Sequence, residues 1–391
     1  MMNTSTVLRP RNRPPVSGRA LSASLPEGLR KMLEAAEASV AQPFVGITTD
    51  GKPVLGLFPL QPTSVPTTPI RQAAEAFLSA LTAQQKTEAL FPLDSDAWRR
   101  WSNIHPFLMR HGVLLDALTL SQRERALALL RESLSLAGFE AARNVMKLNE
   151  TIREITARDQ EYGEWLYWLS IMGTPSPNEP WGWQLDGHHL IINCFVLQGH
   201  MVLTPLFMGS EPTTAETGKY AGTRVFEAEE QNGLAVMRAL TPQQRQKTIL
   251  AEDLPNEVFT AAFRDNFELQ YAGICYGELT NDQQALLRRV FDTYIGRLRP
   301  GHAQVKMEEI HRHLEETHFA WMGSVDEHGV FYYRVHSPVI LIEFDHQRGI
   351  ALDNDAPSRQ HIHTVVRTPN GNDYGMDLLH QHRQQFDHSR L

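Results

Sequence analysis

The chain is poor in cysteine, has no long apolar run and carries no excess of positive charge. Each shortage removes a class of function. Two cysteines, Cys194 and Cys275, occur in 391 residues, so neither a disulfide framework nor a cysteine-type zinc site is available. A single bridge between them is the alternative to two lightly polar fillers in a reducing cytoplasm, which is the expectation. No stretch approaches the roughly 20 apolar residues needed to span a bilayer. The Arg-, Pro- and Ser-rich start has no apolar run of signal-peptide length. A cytoplasmic protein without a membrane partner is expected. Lys and Arg number 37 against 45 Asp and Glu, a formal net charge of −8. Nucleic-acid binding runs on clustered basic residues. Apart from Arg9, Arg11, Arg13 and Arg19 in the tail these are scattered, so no nucleic-acid partner is expected. Phosphate-cradling glycine loops and a Gly-x-Ser-x-Gly elbow are also missing, which leaves nucleotide cofactors and serine-hydrolase chemistry without support.

What is present reads as an ordinary globular protein, 42% hydrophobic and 21% charged, with enough apolar material for a sizeable core. Residues 1–24, rich in Pro, Arg, Ser and Thr, read as a disordered arm, and 25–391 as a single α+β domain. Residues 44–60 alternate around Asp50-Gly51 as a hairpin. Helical spacing follows over 70–81, then in a segment N-capped by Ser121, then over 139–157. Residues 185–188 read as a turn, with strands over 188–197 and 201–207. Helices return over 226–240, 242–250, 257–267, 282–298 and 303–316. The last quarter is strand-rich, at 319–323, 330–335, 339–345 and 361–367, before a closing helix over 377–385. This order predicts a mixed or antiparallel sheet built from central and C-terminal strands, with N-terminal and inserted helices packed around it. No internal repeat is visible.

Seventeen histidines make His-x-His pairs cheap, and three occur: His311/His313, His361/His363 and His380/His382. Residues two apart point to nearly opposite sides of a helix but share one face of a strand. Only His361 and His363 are therefore arranged to converge on an ion. On the neighbouring strand Leu341, Glu343 and Asp345 share one side, and a carboxylate so placed needs a cation or several donors. Two histidines and Glu343 would form the two-His-one-carboxylate set of non-haem iron, with open positions for substrate or dioxygen. Zinc with a bound water uses the same set. The plainer alternative pairs Glu343 with Arg334 or Arg367, leaving the histidines to hydrogen-bond across the sheet. His188 and His189 face opposite sides if they lie on a strand, so at most one joins the site, and parity does not say which. Glu308-x-x-His311 and Glu315-x-x-His318 fall seven residues apart on one helix and cannot face each other, which excludes a di-iron bundle site.

After the His-x-His strand comes the turn-rich run Arg367 to Gly375. Asp373 either caps the last helix or contributes to catalysis. Arg367 is placed to anchor an anionic group and Tyr374 to line a pocket, with Arg334 beside them. Trp181 and Trp183 either wall that pocket or fill core.

These landmarks together resemble the domain of unknown function 3500 (DUF3500) family. The likeness is carried by Trp181-Gly182-Trp183-Gln184, Gly187-His188-His189-Leu190, Thr204-Pro205, Gly209-x-Glu211-Pro212, Tyr333-Arg334, Ile342-Glu343, His361-x-His363-Thr364, Arg367 and Asn372-Asp373-Tyr374-Gly375, and it runs from about residue 70 to 385. The resemblance implies that His188, His189, Glu343, His361, His363 and Arg367 belong together, and implies no particular reaction. The reading carried forward is an enzyme holding one divalent transition metal (iron, copper or zinc) through His361, His363 and a third ligand from Glu343 or the His188/His189 pair. It would act on a small, anionic molecule, with oxidation by dioxygen favoured over hydrolysis at zinc. A metal-free acid–base hydrolase and a non-catalytic binding protein are the rivals.

Overall fold

In the computed structural model, which describes residues 9–386, ten helices surround one open, mixed sheet of thirteen strands, an α+β architecture. The strands are β1 (Leu90–Phe91), β2 (Val113–Leu114), β3 (Tyr167–Met172), β4 (Trp181–Gly187), β5 (Leu190–Leu197), β6 (His200–Val202), β7 (Leu206–Ser210), β8 (Ile249–Ala251), β9 (Ile274–Cys275), β10 (His318–Gly323), β11 (Phe331–His336), β12 (Leu341–Gln347) and β13 (Ser358–Arg367). The helices are α1 (Glu27–Val40), α2 (Thr68–Ala80), α3 (Ala83–Ala89), α4 (Leu120–Ser133), α5 (Leu136–Thr156), α6 (Glu227–Ala239), α7 (Pro242–Thr248), α8 (Asn281–Ile295), α9 (Pro300–Arg312) and α10 (Met376–Gln385). Among the described residues no helix is long and apolar enough to cross a membrane.

The strand order is a palindrome, β1-β3-β4-β5-β7 followed by β13-β12-β11-β10-β8. Local chemistry repeats with it. Thr82 and Thr241 close capping boxes with Gln85 and Gln244 at the starts of α3 and α7, and Thr119 and Thr280 do so with Gln122 and Gln283 at α4 and α8. The Gln122 amide donates to Ala80 O (2.9 Å) and Gln85 Oε1 (2.8 Å), and Gln283 donates to Ala239 O (2.9 Å) and Gln244 Oε1 (2.8 Å). These matches show an internal duplication about a pseudo-twofold axis between β7 and β13, correcting the expectation of no repeat. The trace in sequence is thin: Ala-Leu-Thr-x-Gln-Gln at 80–85 and 239–244, and Leu-Thr-x-x-Gln at 118–122 and 279–283.

Pleating separates two faces. One is apolar and lies under helices: Trp183 donates to Ser133 of α4 (3.2 Å), and Gly233 of α6 lies against the Tyr333 ring. The other carries Gln184, Asp186, His361, His363, Arg367, Glu343 and Asp345, with irregular chain from 92–112 and 252–273 bonded onto it. The helix expected over 257–267 is part of this coil, and the hairpin expected over 44–60 is coil with a single bridge, Thr48 to Glu268. In both places the backbone N–H groups serve buried side chains or neighbouring loops in place of a regular ladder. Residues 1–8 of the arm lie outside the described residues. From residue 9 to 19 the arm is tied down and not disordered: Arg11 donates to Leu352 O, Gly349 O and Asn354 O, and Arg13 to Glu161 and Tyr162.

Candidate metal centre

The tandem histidines occupy a turn and not a strand. Gly187 pairs with Leu190 across the β4–β5 hairpin, so His188 and His189 are its two central residues. His189 takes φ 62°, a left-handed conformation costly for a residue with a Cβ. It is pinned there by its N–H to Asn103 O (3.0 Å) and its carbonyl to Gly209 N (2.8 Å). The turn decides what strand parity left open, sending His189 toward β13. There His361 and His363 project from one face, as the period of two requires. The three Nε2 atoms converge: His361 to His363 3.0 Å, His189 to His363 3.1 Å and His189 to His361 3.2 Å. All three residues are buried. Gly209 faces His363 across the β7–β13 pair. A Cβ there would lie 2.8 Å from His363 Cδ2 and 3.2 Å from His189 Cδ2, so glycine makes room for both rings.

The other ring nitrogens fix the protons. His361 Nδ1 lies 2.7 Å from Arg348 O, and a carbonyl can only accept, so this nitrogen carries N–H. His363 Nδ1 likewise donates to Glu257 Oε1 at 2.7 Å. In the neutral rings both Nε2 atoms therefore present lone pairs to each other at 3.0 Å, and a single Nε2–H on His189 cannot serve both well. Protonation is no remedy, because burial, reinforced by the neighbouring imidazoles, holds His189 well below the usual imidazole range. Burial also lowers His361, against the partial opposition of Glu211. A cation at the centre satisfies all three lone pairs at once. With metal–nitrogen bonds of about 2.0–2.1 Å, the observed separations correspond to N–metal–N angles of roughly 90–105°, between facial octahedral and tetrahedral geometry. The supporting shell is that of a ligand set: a carboxylate behind one imidazole and a carbonyl behind another. Burial raises the Glu257 carboxyl, yet the His363 imidazole outweighs it and the net direction is down.

His188 turns away from the cluster. Its Nδ1 meets Asn149 Oδ1 at 2.8 Å, and its ring stacks on His189 with centroids 3.8 Å apart, so it is a wall and not a ligand. Glu343 is also no ligand, and it pairs with neither Arg334 nor Arg367. It accepts from Phe259 N (2.7 Å), Thr260 N (2.9 Å), Thr260 Oγ1 (2.5 Å) and Tyr332 OH (2.7 Å). Four donors satisfy a buried carboxylate without a cation. Arg367, expected to grip a substrate anion, is fully buried and spent on Asp373 (2.7 Å), Asp265 (2.7 Å) and Thr260 O (3.2 Å). Asp373 also accepts from Thr368 N (2.7 Å) and so closes the turn, with no reach to the imidazoles. Tyr374 donates to Asp265 (2.9 Å) and accepts from Trp101 (2.9 Å). Arg334 donates to Gln270 O (3.3 Å) and lies over Phe259. Trp183 sits on the helix-covered face, in the core. None of these lines a pocket at the triad.

Sequence reasoning missed Glu257, hidden in a predicted helix, and Asn149 and Arg348, which act through a side-chain amide and a carbonyl that no motif marks. It quoted Glu211 only as a landmark of the family likeness and gave it no place at the site, where it lies 3.7 Å from His361 Nδ1 and accepts from Ile350, Ala351 and Leu352 N–H groups at 2.9 Å each. The triad draws on both repeats, His189 from the first and His361 and His363 from the second, which also supplies Glu257 behind His363.

No curated protein and no solved structure matches the chain. The family model described as "Protein of unknown function (DUF3500)" matches residues 63–376, well over half of the sequence, and the chain belongs to that family.

Proposed function

We propose that this protein is a mononuclear metalloenzyme in which His189, His361 and His363 hold one divalent transition ion and act on a small molecule. The observation that carries this reading is the meeting of three Nε2 atoms at 3.0–3.2 Å with two of the opposite nitrogens committed as donors. An all-imidazole set suits iron, copper, nickel and zinc and disfavours magnesium or calcium. Enclosure supports oxidation with dioxygen at iron or copper, because a site closed to bulk water protects a redox reaction from side reactions. A second reading, hydrolysis at zinc, has its own support: three histidines with a fourth position for water is a known catalytic zinc set. Phe207, with its ring 5.1 Å from that of His363, gives the site an apolar wall. Glu257 orients His363, and the Arg348 carbonyl orients His361. Small-molecule chemistry away from nucleic acid fits the acidic net charge.

Elemental analysis of protein purified without an affinity tag tests this. Close to one iron, copper or zinc per chain is expected, absent from a His361→Ala/His363→Ala variant that keeps its fold. A well-folded wild-type chain that stays metal-free after incubation with each ion would end the proposal.

A further inference from the structure

Strand β12 carries two buried carboxylates on one face, and they differ in one respect. Glu343 has four donors, whereas Asp345, two residues on, has an oxygen with none: Oδ1 is buried without a hydrogen-bond partner, and Oδ2 accepts only from Gln347 Nε2. Such an unmet acceptor costs about 1–3 kcal/mol. Its position gives the shortage a meaning. Asp345 stands opposite His363 in the β12–β13 register, on the same face of the sheet, and directly opposed residues have Cβ atoms about 5 Å apart. It is not a fourth ligand, because its oxygens fall outside the group of three nitrogens that lie within 4.8 Å of one another. The groups facing it offer no donor. Tyr332, its partner on β11, gives its hydroxyl hydrogen to Glu343. His363 on β13 gives its hydrogen to Glu257, itself a carboxylate on the 252–273 coil.

We propose that Asp345 Oδ1 accepts a hydrogen bond from the exchangeable ligand of the ion held by His189, His361 and His363, and so selects ligands that carry an O–H or N–H. This rests on the metal reading above. Three neutral imidazoles leave a dication with open positions, and a water or alcohol bound there has a polarised hydrogen to give. Of the acidic groups around the triad, Glu343 and Glu211 are saturated by donors, which leaves Asp345 and Glu257, while Arg367 and Arg99 are paired with Asp265, Arg110 with Asp186 and Arg13 with Glu161. The substrate class that fits is a hydroxyl- or amine-bearing molecule, in place of the carboxylate that an anchoring Arg367 would have favoured.

The test uses cobalt(II)-loaded full-length protein and its visible spectrum, titrated with azide, an anion with no hydrogen to donate. Asp345→Asn keeps the shape and supplies an amide donor where the acceptor stood, and Asp345→Ser does so with a smaller group should the first variant fold poorly. In at least one folded variant, cobalt stoichiometry should stay near one while azide binds roughly 10–100-fold more tightly than in the wild type. Azide affinities within twofold of wild type in the folded variants would overturn the assignment, as would loss of cobalt from them. Failure of the wild-type chain to bind cobalt would instead sink the metal reading itself, so the two failures are distinct.

Discussion

Two buried polar clusters sit on the same face of the sheet, four residues apart along β13, and they are built on opposite principles. Around Arg367 every charge is answered. Arg367 and Arg99 face Asp265 and Asp373, Tyr374 and Trp101 close the chain of donors, and none of these side chains is left with an unpartnered buried polar atom. Around His189, His361 and His363 the outer nitrogens of two rings are answered, by Arg348 O and Glu257, but the inner ones are not matched: three Nε2 atoms meet at one point, and at least two of them bring lone pairs. The first cluster is complete as folded and holds the 252–273 coil to the sheet. The second is the arrangement that the proposed ion would complete. Burial and charge do not separate structural from functional polar groups here; the balance of donors and acceptors does.

The sharpest way to break this contrast is to truncate one member of each cluster. Arg367→Ala leaves Asp373 buried without its cation and Asp265 with Arg99 alone, and should cost about 3–5 kcal/mol of stability in denaturant unfolding. His361→Ala should cost the metal-free protein far less, because it removes one of the two opposed lone pairs of His361 and His363. A His361→Ala loss as large as that of Arg367→Ala would mean that the histidines are a structural network. Next comes stabilisation by metal. At a free ion concentration 100 times the Kd, the wild type should gain about 2.7 kcal/mol, read as a rise in Tm, and His189→Ala and His363→Ala should gain nothing.

Glu257→Gln keeps the size of the side chain but weakens the acceptor behind His363. It should lower metal affinity about 10–100-fold with little change in the stability of the metal-free protein, as competition with a chromophoric chelator would show. The smallest effect is in pH. His189 and His361 have folded-state values lowered by burial, so the unfolded chain binds protons that the folded chain refuses. Stability of the metal-free protein should therefore fall as pH drops below about 6.5, by at most about 1.4 kcal/mol per unit for each such imidazole. The slope should flatten in His189→Asn. An unchanged slope would show that His189 is protonated in the fold.

Much of this was legible in the sequence, for reasons that also explain the rest. The pairing of His361 with His363 follows from the strand period alone, and β10 to β13 follow from their apolar alternation. His189 as the third member of the cluster was out of reach because the β4–β5 turn lies two residues later than Leu185-Asp186-Gly187-His188 suggests, and a left-handed residue obeys no strand parity. Glu343 misled for a related reason. A buried carboxylate signals a demand for partners, but three of its four donors, Phe259 N, Thr260 N and Thr260 Oγ1, lie in a segment whose composition reads as helix. Arg367 looked available because one of its two carboxylate partners, Asp265, is 102 positions away, and the other, Asp373, reads as a helix cap. The duplication left only capping boxes and two short matches, one of six residues and one of five, as its trace, since buried Gln122 and Gln283 are held by geometry while the surrounding apolar positions tolerate exchange.

The account turns on whether one ion sits at the meeting point of three Nε2 atoms, and X-ray absorption at the edge of the bound metal measures that directly. The prediction is a shell containing three imidazole nitrogens at about 2.0–2.1 Å, lost in His363→Ala. A shell with one imidazole or none, or one that survives that substitution, would place the metal elsewhere and contradict the account.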